Sequence, residues 1–113
     1  MTVATQGDLS TLTSKELHQL IVNKDISVME LVELFLNRIN QYDSQLNAYI
    51  TVVQDKARAQ AIEVDNKIRS GELNHPLAGV PYALKDLFCT KGILTSCGSK
   101  MLSNFISPYD ATV

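Results

Sequence analysis

The chain has 113 residues, 45% hydrophobic and 19% charged, so it holds enough apolar material for a core and is not disordered by composition. Its formal net charge of −2 excludes a basic field able to hold a nucleic-acid backbone unaided, and any RNA contact has to come from further sequence or from a partner. No run of about 18 apolar residues occurs, so no transmembrane helix is expected; the start, MTVATQGDLSTLT, lacks the basic and apolar regions of a secretory signal, so a cytoplasmic protein is expected.

Residues 1–12 are polar and unpatterned and read as a flexible tail. Thr13 and Glu16 then make a T-x-x-E capping box, with Leu12 and Leu17 spaced as its hydrophobic staple. Leu17, Leu20 and Ile21 give the i, i+3, i+4 face of a first helix that ends near Asn23 to Asp25. The signal repeats at once: Ser27 and Glu30 form a second box, with Ile26 and Leu31 as its staple. Leu31, Phe35, Ile39 and Tyr42 line one face of a second helix, widened by Val28, Val32 and Leu36 and expected to stop near Tyr42, before Asp43 and Ser44.

Asn47 to Val53, NAYITVV, is β-prone and reads either as a short strand or as the extended approach to the next helix. Thr51 and Gln54 offer a third capping box for a helix from about Gln54 to Ser70. Its apolar face, Ala57, Ala61, Val64 and Ile68, is thin and small, which suits close packing on one neighbour with the rest solvated. Arg58 and Glu63 read as ordinary surface charges, and Gly71 as the left-handed residue beyond the helix. After a linker, Leu77 to Leu84 is continuously apolar apart from Gly79 and Pro81. Such a run suits a strand buried on both faces, from Val80 or Tyr82 to Lys85. Beyond Asp86 the chain reads as loops, with a turn at Lys91–Gly92, a short helix from Lys100 to Phe105 capped by Ser99, and Asp110 as the N-cap of a helix just beginning at Ala111. A helix of three residues cannot nucleate, so the chain reads as part of a longer one.

Lys85, at the end of the apolar run, has two open readings. Its stem packs on the core while its ammonium meets water or Asp86, or it is a buried lysine, partly neutral near pH 7, that serves as a base for a serine. Ser96, Ser99, Ser103 and Ser107 follow, none in a G-x-S-x-G elbow, and each reads as a turn or cap residue. No glycine-rich phosphate loop occurs. Cys89 and Cys97 read as free thiols, and with only His18 and His75 as other soft ligands no zinc site is expected.

Four ordered blocks carry a resemblance: G-V-P-Y-A-L-K-D at Gly79 to Asp86, T-K-G at Thr90 to Gly92, T-S-C-G-S-K-M-L at Thr95 to Leu102, and P-Y-D-A-T-V at Pro108 to Val113. Together they resemble the amidase signature family. More narrowly they resemble the A-subunit family of the glutamyl-tRNA(Gln) amidotransferases, which in some cells also serve aspartyl-tRNA(Asn). Glu30–Leu31 and Leu46 to Val52 are similar to the start of that family, so the resemblance runs from about Leu12 to Val113. It implies an α/β amidase signature fold: helices first, then a strand of a central mixed sheet covered by helices, with residues 13–113 forming the N-terminal portion of a single domain. It implies a Ser–cis-Ser–Lys glutaminase in which Lys85 is the triad lysine. Both serines fall in a Gly/Ser-rich segment expected after the equivalent of Val113, so this chain alone is expected to be inactive. It further implies glutamine as ammonia donor, amidotransferase B and C subunits as partners, a misacylated tRNA reached through the complex, and ATP and Mg²⁺ used on the B subunit, with no cofactor in this chain. Two other readings stay open: an amidase acting on small free amides, and a non-catalytic helical interaction module centred on residues 13–42.

Overall fold

The computed structural model describes residues 9–113, arranged as two compact units. One comprises the chain up to Asn47 together with Gln54–Pro81; the other comprises Ala48–Val53 and Tyr82–Val113.

The first unit is helical: α1 is Ser14–Val22, α2 is Val28–Leu46 and α3 is Gln54–Arg69. The box at the start of α1 is complete. Thr13 Oγ1 accepts the Glu16 N–H at 3.2 Å, and the Glu16 carboxylate accepts the Thr13 N–H at 2.8 Å. Leu17 and Ile21 are buried, as are Ile26 and Leu31 of the second staple. Burial along α2 covers Val28, Leu31, Val32 and Leu36 of the expected stripe, whereas Tyr42 is exposed. It also takes in Leu34, which flanks Leu31 one turn on, at the edge of that stripe, and shares a cleft with Leu9. Of the tail expected over 1–12, residues 1–8 lie outside the described residues, and Leu9 is only 1% exposed.

α2 runs four residues past the expected stop at Tyr42. Asp43 and Ser44 sit in its last turns, and the helix ends where Asn47 turns left-handed (φ 53°), its N–H bonded to the Asp43 carbonyl at 2.7 Å. A short polar side chain near a helix end costs little. A reversal of φ is what stops the hydrogen-bond ladder. The third capping box does not form: Thr51 lies three residues before the first residue of α3, and its buried hydroxyl has no hydrogen-bond partner. Residues 48–53 form no strand.

α3 packs on α2 through small side chains, with Ala61 buried, and two polar links cross between the helices. Arg58, expected as an ordinary surface charge, forms an ion pair with Glu33 on α2, and its hydrogen bond holds the Glu33 carboxyl below its ordinary range. Glu63 keeps its surface role, pairing with Lys67 one turn on at 2.8 Å. The second link is Asp65, whose two carboxylate oxygens accept the N–H groups of Val28 (2.9 Å) and Met29 (3.2 Å). Of the second expected capping box only the serine half is formed, Ser27 Oγ accepting the Glu30 N–H at 3.0 Å. Three of the four N–H groups that a helix start leaves unpaired are thus satisfied, two of them by a carboxylate 36 and 37 residues away. The charge also sits where the helix dipole favours an anion. Asp65→Ala is expected to cost about 2 kcal/mol, read as faster amide hydrogen exchange across the first turn of α2 in the full-length protein. Exchange unchanged at Val28 and Met29 would show that water replaces the carboxylate without loss.

Gly71 (φ +82°) is left-handed just past α3, as expected. Further on, Ala78 is buried and its carbonyl lies 2.9 Å from His18 Nδ1 on α1, while Gly79 (φ +84°) lies against Ile21, Val28 and Ile68. The segment before the expected strand is therefore seated on all three helices.

The strand expected from Val80 or Tyr82 to Lys85 is not formed: residues 80–85 carry no ladder, and the described residues hold no strand. A strand exists only where its N–H and C=O groups have a neighbouring strand to pair with, and none is supplied here. An antiparallel bridge joins Leu94 and Ile106, flanked by Gly92 N–H to Ser107 O (2.8 Å), Ser107 N–H to Ile93 O (3.2 Å) and Thr95 N–H to Phe105 O (3.0 Å). Between its arms, Ser99 caps a single 3₁₀ turn, Lys100–Leu102, shorter than the helix expected to reach Phe105. Asp110 caps no helix among the described residues; its carboxylate accepts the Lys91 N–H at 2.8 Å. No helix among the described residues is long and apolar enough to cross a membrane.

Candidate functional site

The second unit contains Lys85 and the loops that follow it. Lys85 is exposed. Its carbonyl accepts the Phe88 N–H at 3.1 Å, closing a turn directly after the residue. Asp86, the neighbour with which the ammonium could have paired, is committed elsewhere. Its Oδ1 accepts the Ser96 N–H at 3.0 Å, its Oδ2 accepts the Ser96 hydroxyl, and its carbonyl accepts the Cys97 N–H at 2.8 Å. The Ser96 hydroxyl, opposed by partial burial and helped by backbone N–H groups of 96–98, holds the Asp86 carboxyl below its ordinary range. Asp86 is thus an anion with both carboxylate oxygens engaged as acceptors.

The T-S-C-G-S stretch is built for that clasp. Thr95 and Ser96 are buried, and the chain then reverses through two consecutive left-handed residues, Cys97 (φ 53°) and Gly98 (φ 71°). That reversal brings the Gly98 N–H back toward Ser96 Oγ at 3.4 Å. Ser107, 1% exposed, donates to the Tyr109 carbonyl at 2.7 Å, and Ala111 N–H reaches Cys89 O at 2.8 Å. Ser96, Ser99 and Ser107 therefore each hold a loop or a turn, as their sequence context implied. Cys89 and Cys97 are free thiols, and no cluster of three His, Cys, Asp or Glu side chains suits a metal ion among the described residues. The sequence reasoning missed the Asp86–Ser96 clasp. Nothing in a spacing of ten residues marks such a pair.

Of the lysines in this unit, Lys85 offers a primary amine directly beside a carboxylate that is bonded to the 96–97 loop instead of to the amine. Such an amine can exchange a proton with a group brought up to it.

The amidase family profile matches residues 30–113. The chain is 47% identical over 105 residues to the A subunit of a glutamyl-tRNA(Gln) amidotransferase from Desulforamulus reducens, covering 93% of this chain and 22% of that protein. The same-named protein from Ruthia magnifica is 55% identical over 105 residues, with 93% and 21% covered. Among solved structures, one described as part of an unexpected vestigial protein complex that reveals the evolutionary origins of an s-triazine catabolic enzyme is similar at TM-score 0.81 and 32% identity, over 88% of this chain and 22% of that one. The chain thus spans about a fifth of the length of the curated relatives it matches.

Proposed function

This chain belongs to the amidase family, and from that premise we propose that it is the N-terminal part of the A subunit of a tRNA-dependent amidotransferase. The observation that carries the reading is identity of about one half with proteins of that name over 93% of the chain. In this reading the whole protein hydrolyses glutamine in the cytoplasm. A serine attacks the amide, a bridging serine on a cis peptide relays the proton, and Lys85 gives and takes that proton. Ammonia passes to the B subunit, where ATP and Mg²⁺ serve to activate the glutamate, or aspartate, carried by a misacylated tRNA. The C subunit completes the assembly.

Two features of this chain support the assignment of Lys85. Its amine is exposed rather than spent on a structural ion pair with Asp86, which Ser96 occupies. Its backbone is held by the turn to Phe88. Both serines and the oxyanion-binding amides would lie on other parts of the protein, as would the sheet in which residues 80–85 find their partners. Burial by those parts would supply the desolvation that favours a neutral amine.

The test is co-expression of the full-length protein with its B and C subunits. The complex is expected to convert glutamyl-tRNA(Gln) to the amidated form with glutamine as donor, while residues 1–113 alone release no ammonia from glutamine. A full-length protein that cleaves a small free amide with no dependence on tRNA or partner would replace this reading with the hydrolase one, which the similarity to the s-triazine system keeps in play.

A further inference from the structure

Lys85 and Asp86 are adjacent yet stand in opposite environments: Lys85 is exposed, and Asp86 is half-buried against the 95–98 loop. We propose that Asp86 and Ser96 form a positioning pair that sets the direction of Lys85 for proton transfer, a role that rests on the amidotransferase reading above.

Three hydrogen bonds run between residue 86 and the loop, two to its carboxylate and one to its carbonyl, and all end on Ser96 or Cys97. The loop they reach is itself stiff. Ser96 is 7% exposed, its carbonyl accepts the Ser99 N–H at 2.8 Å, and the two left-handed residues after it leave little room for drift. On the other side of Lys85's peptide carbonyl stands the Phe88 N–H, at 3.1 Å. The turn from 85 to 88 is thus closed on itself and anchored to the loop through Asp86, which fixes the peptide that follows Lys85. A proton-transfer group needs its partner within hydrogen-bond reach, and a misplacement of about 1 Å costs about 100-fold in rate. Asp86 touches neither substrate nor any reacting atom in this scheme. It acts through the peptide it shares with Lys85.

The experiment uses the full-length enzyme with its partner subunits and reads steady-state glutamine hydrolysis. Asp86→Asn keeps the shape of the side chain but replaces one acceptor arm with a donor. Ser96→Ala removes the hydroxyl, and Ser96→Thr restores it. Asp86→Asn and Ser96→Ala are each expected to lower kcat by about 10- to 100-fold, with KM within about twofold of the parent. The double variant should be no worse than the weaker single, because both remove the same clasp. Ser96→Thr should return kcat to within about threefold of the parent. Each rate is taken per molecule of enzyme whose circular dichroism and unfolding profile match the parent, so loss of folded protein does not register as loss of kcat. A correctly folded Asp86→Asn with parental kcat overturns the proposal, as does a Ser96→Thr no better than Ser96→Ala. Lys85→Ala, measured in parallel, separates the two ideas: full activity in that variant removes the amidotransferase role of Lys85, whereas its loss beside an unaffected Asp86→Asn removes only the positioning pair.

Discussion

Lys85→Ala in the full-length protein is expected to lower kcat for glutamine hydrolysis by about 10²- to 10⁴-fold, the range of a positioned general acid–base group. Its neighbour Asp86 is no substitute. Asp86 is locked as an acceptor and held ionised below its ordinary range, so it cannot lend a proton near neutral pH. The loss should be confined to the glutamine reaction. With ammonium salt in place of glutamine, the complex should still amidate its tRNA at the parental rate, because Lys85 acts before ammonia is released. Loss with both donors would mark a general failure of assembly. Retained glutamine hydrolysis would return Lys85 to a solvated side chain at the end of an apolar run.

The largest stability effect is expected at Gly79. Its φ of +84° places a non-glycine residue in a region that costs about 1–2 kcal/mol. An added Cβ would also lie 2.8 Å from Val28 Cγ2 and 2.9 Å from Ile21 Cδ1, both on buried side chains. Val28 is β-branched at the crowded start of α2 and has little torsional freedom with which to yield. Overpacking of this kind costs about 1–3 kcal/mol, so Gly79→Ala should lose about 2–5 kcal/mol in all, a large share of an ordinary domain's stability. Gly71→Ala is the matched control. It has the same sign of φ (+82°) but nothing within 4 Å of the added carbon, so it should lose only the conformational part. Thermal unfolding of the full-length protein with each substitution measures the difference. Equal losses at the two positions would show that the contacts around Gly79 relax freely.

These effects mark where local reasoning stopped. The caps at Thr13 and Ser27 and the left-handed end at Gly71 were legible, because each depends on residues within one helical turn. The true end of α2 was less so: Asn47 and Asp43 are both helix-weakening residues, and nothing local says which of them reverses φ. The strand expected from 80 to 85 failed for a different reason. Its apolar pattern is real, but pairing belongs to the neighbour and not to the strand. Lys85 stood out by its position after that run and by the family resemblance of the blocks around it. Its exposure and the occupation of Asp86 by Ser96 did not.

By itself, then, the sequence determined three helices and where each begins, the family, and the one lysine worth testing. Capping boxes and apolar periodicity act over three or four residues and are written directly in the chain. Only the tertiary structure decided that Asp65 caps α2 from α3, that Arg58 reaches Glu33, that Gly79 must lack a side chain, and that Asp86 holds Ser96 instead of its neighbour. Each of these joins residues between 10 and 58 positions apart or depends on a few tenths of an ångström of space. A hydrogen bond or a close contact at that range is set by how the elements pack, and no one segment carries that information alone.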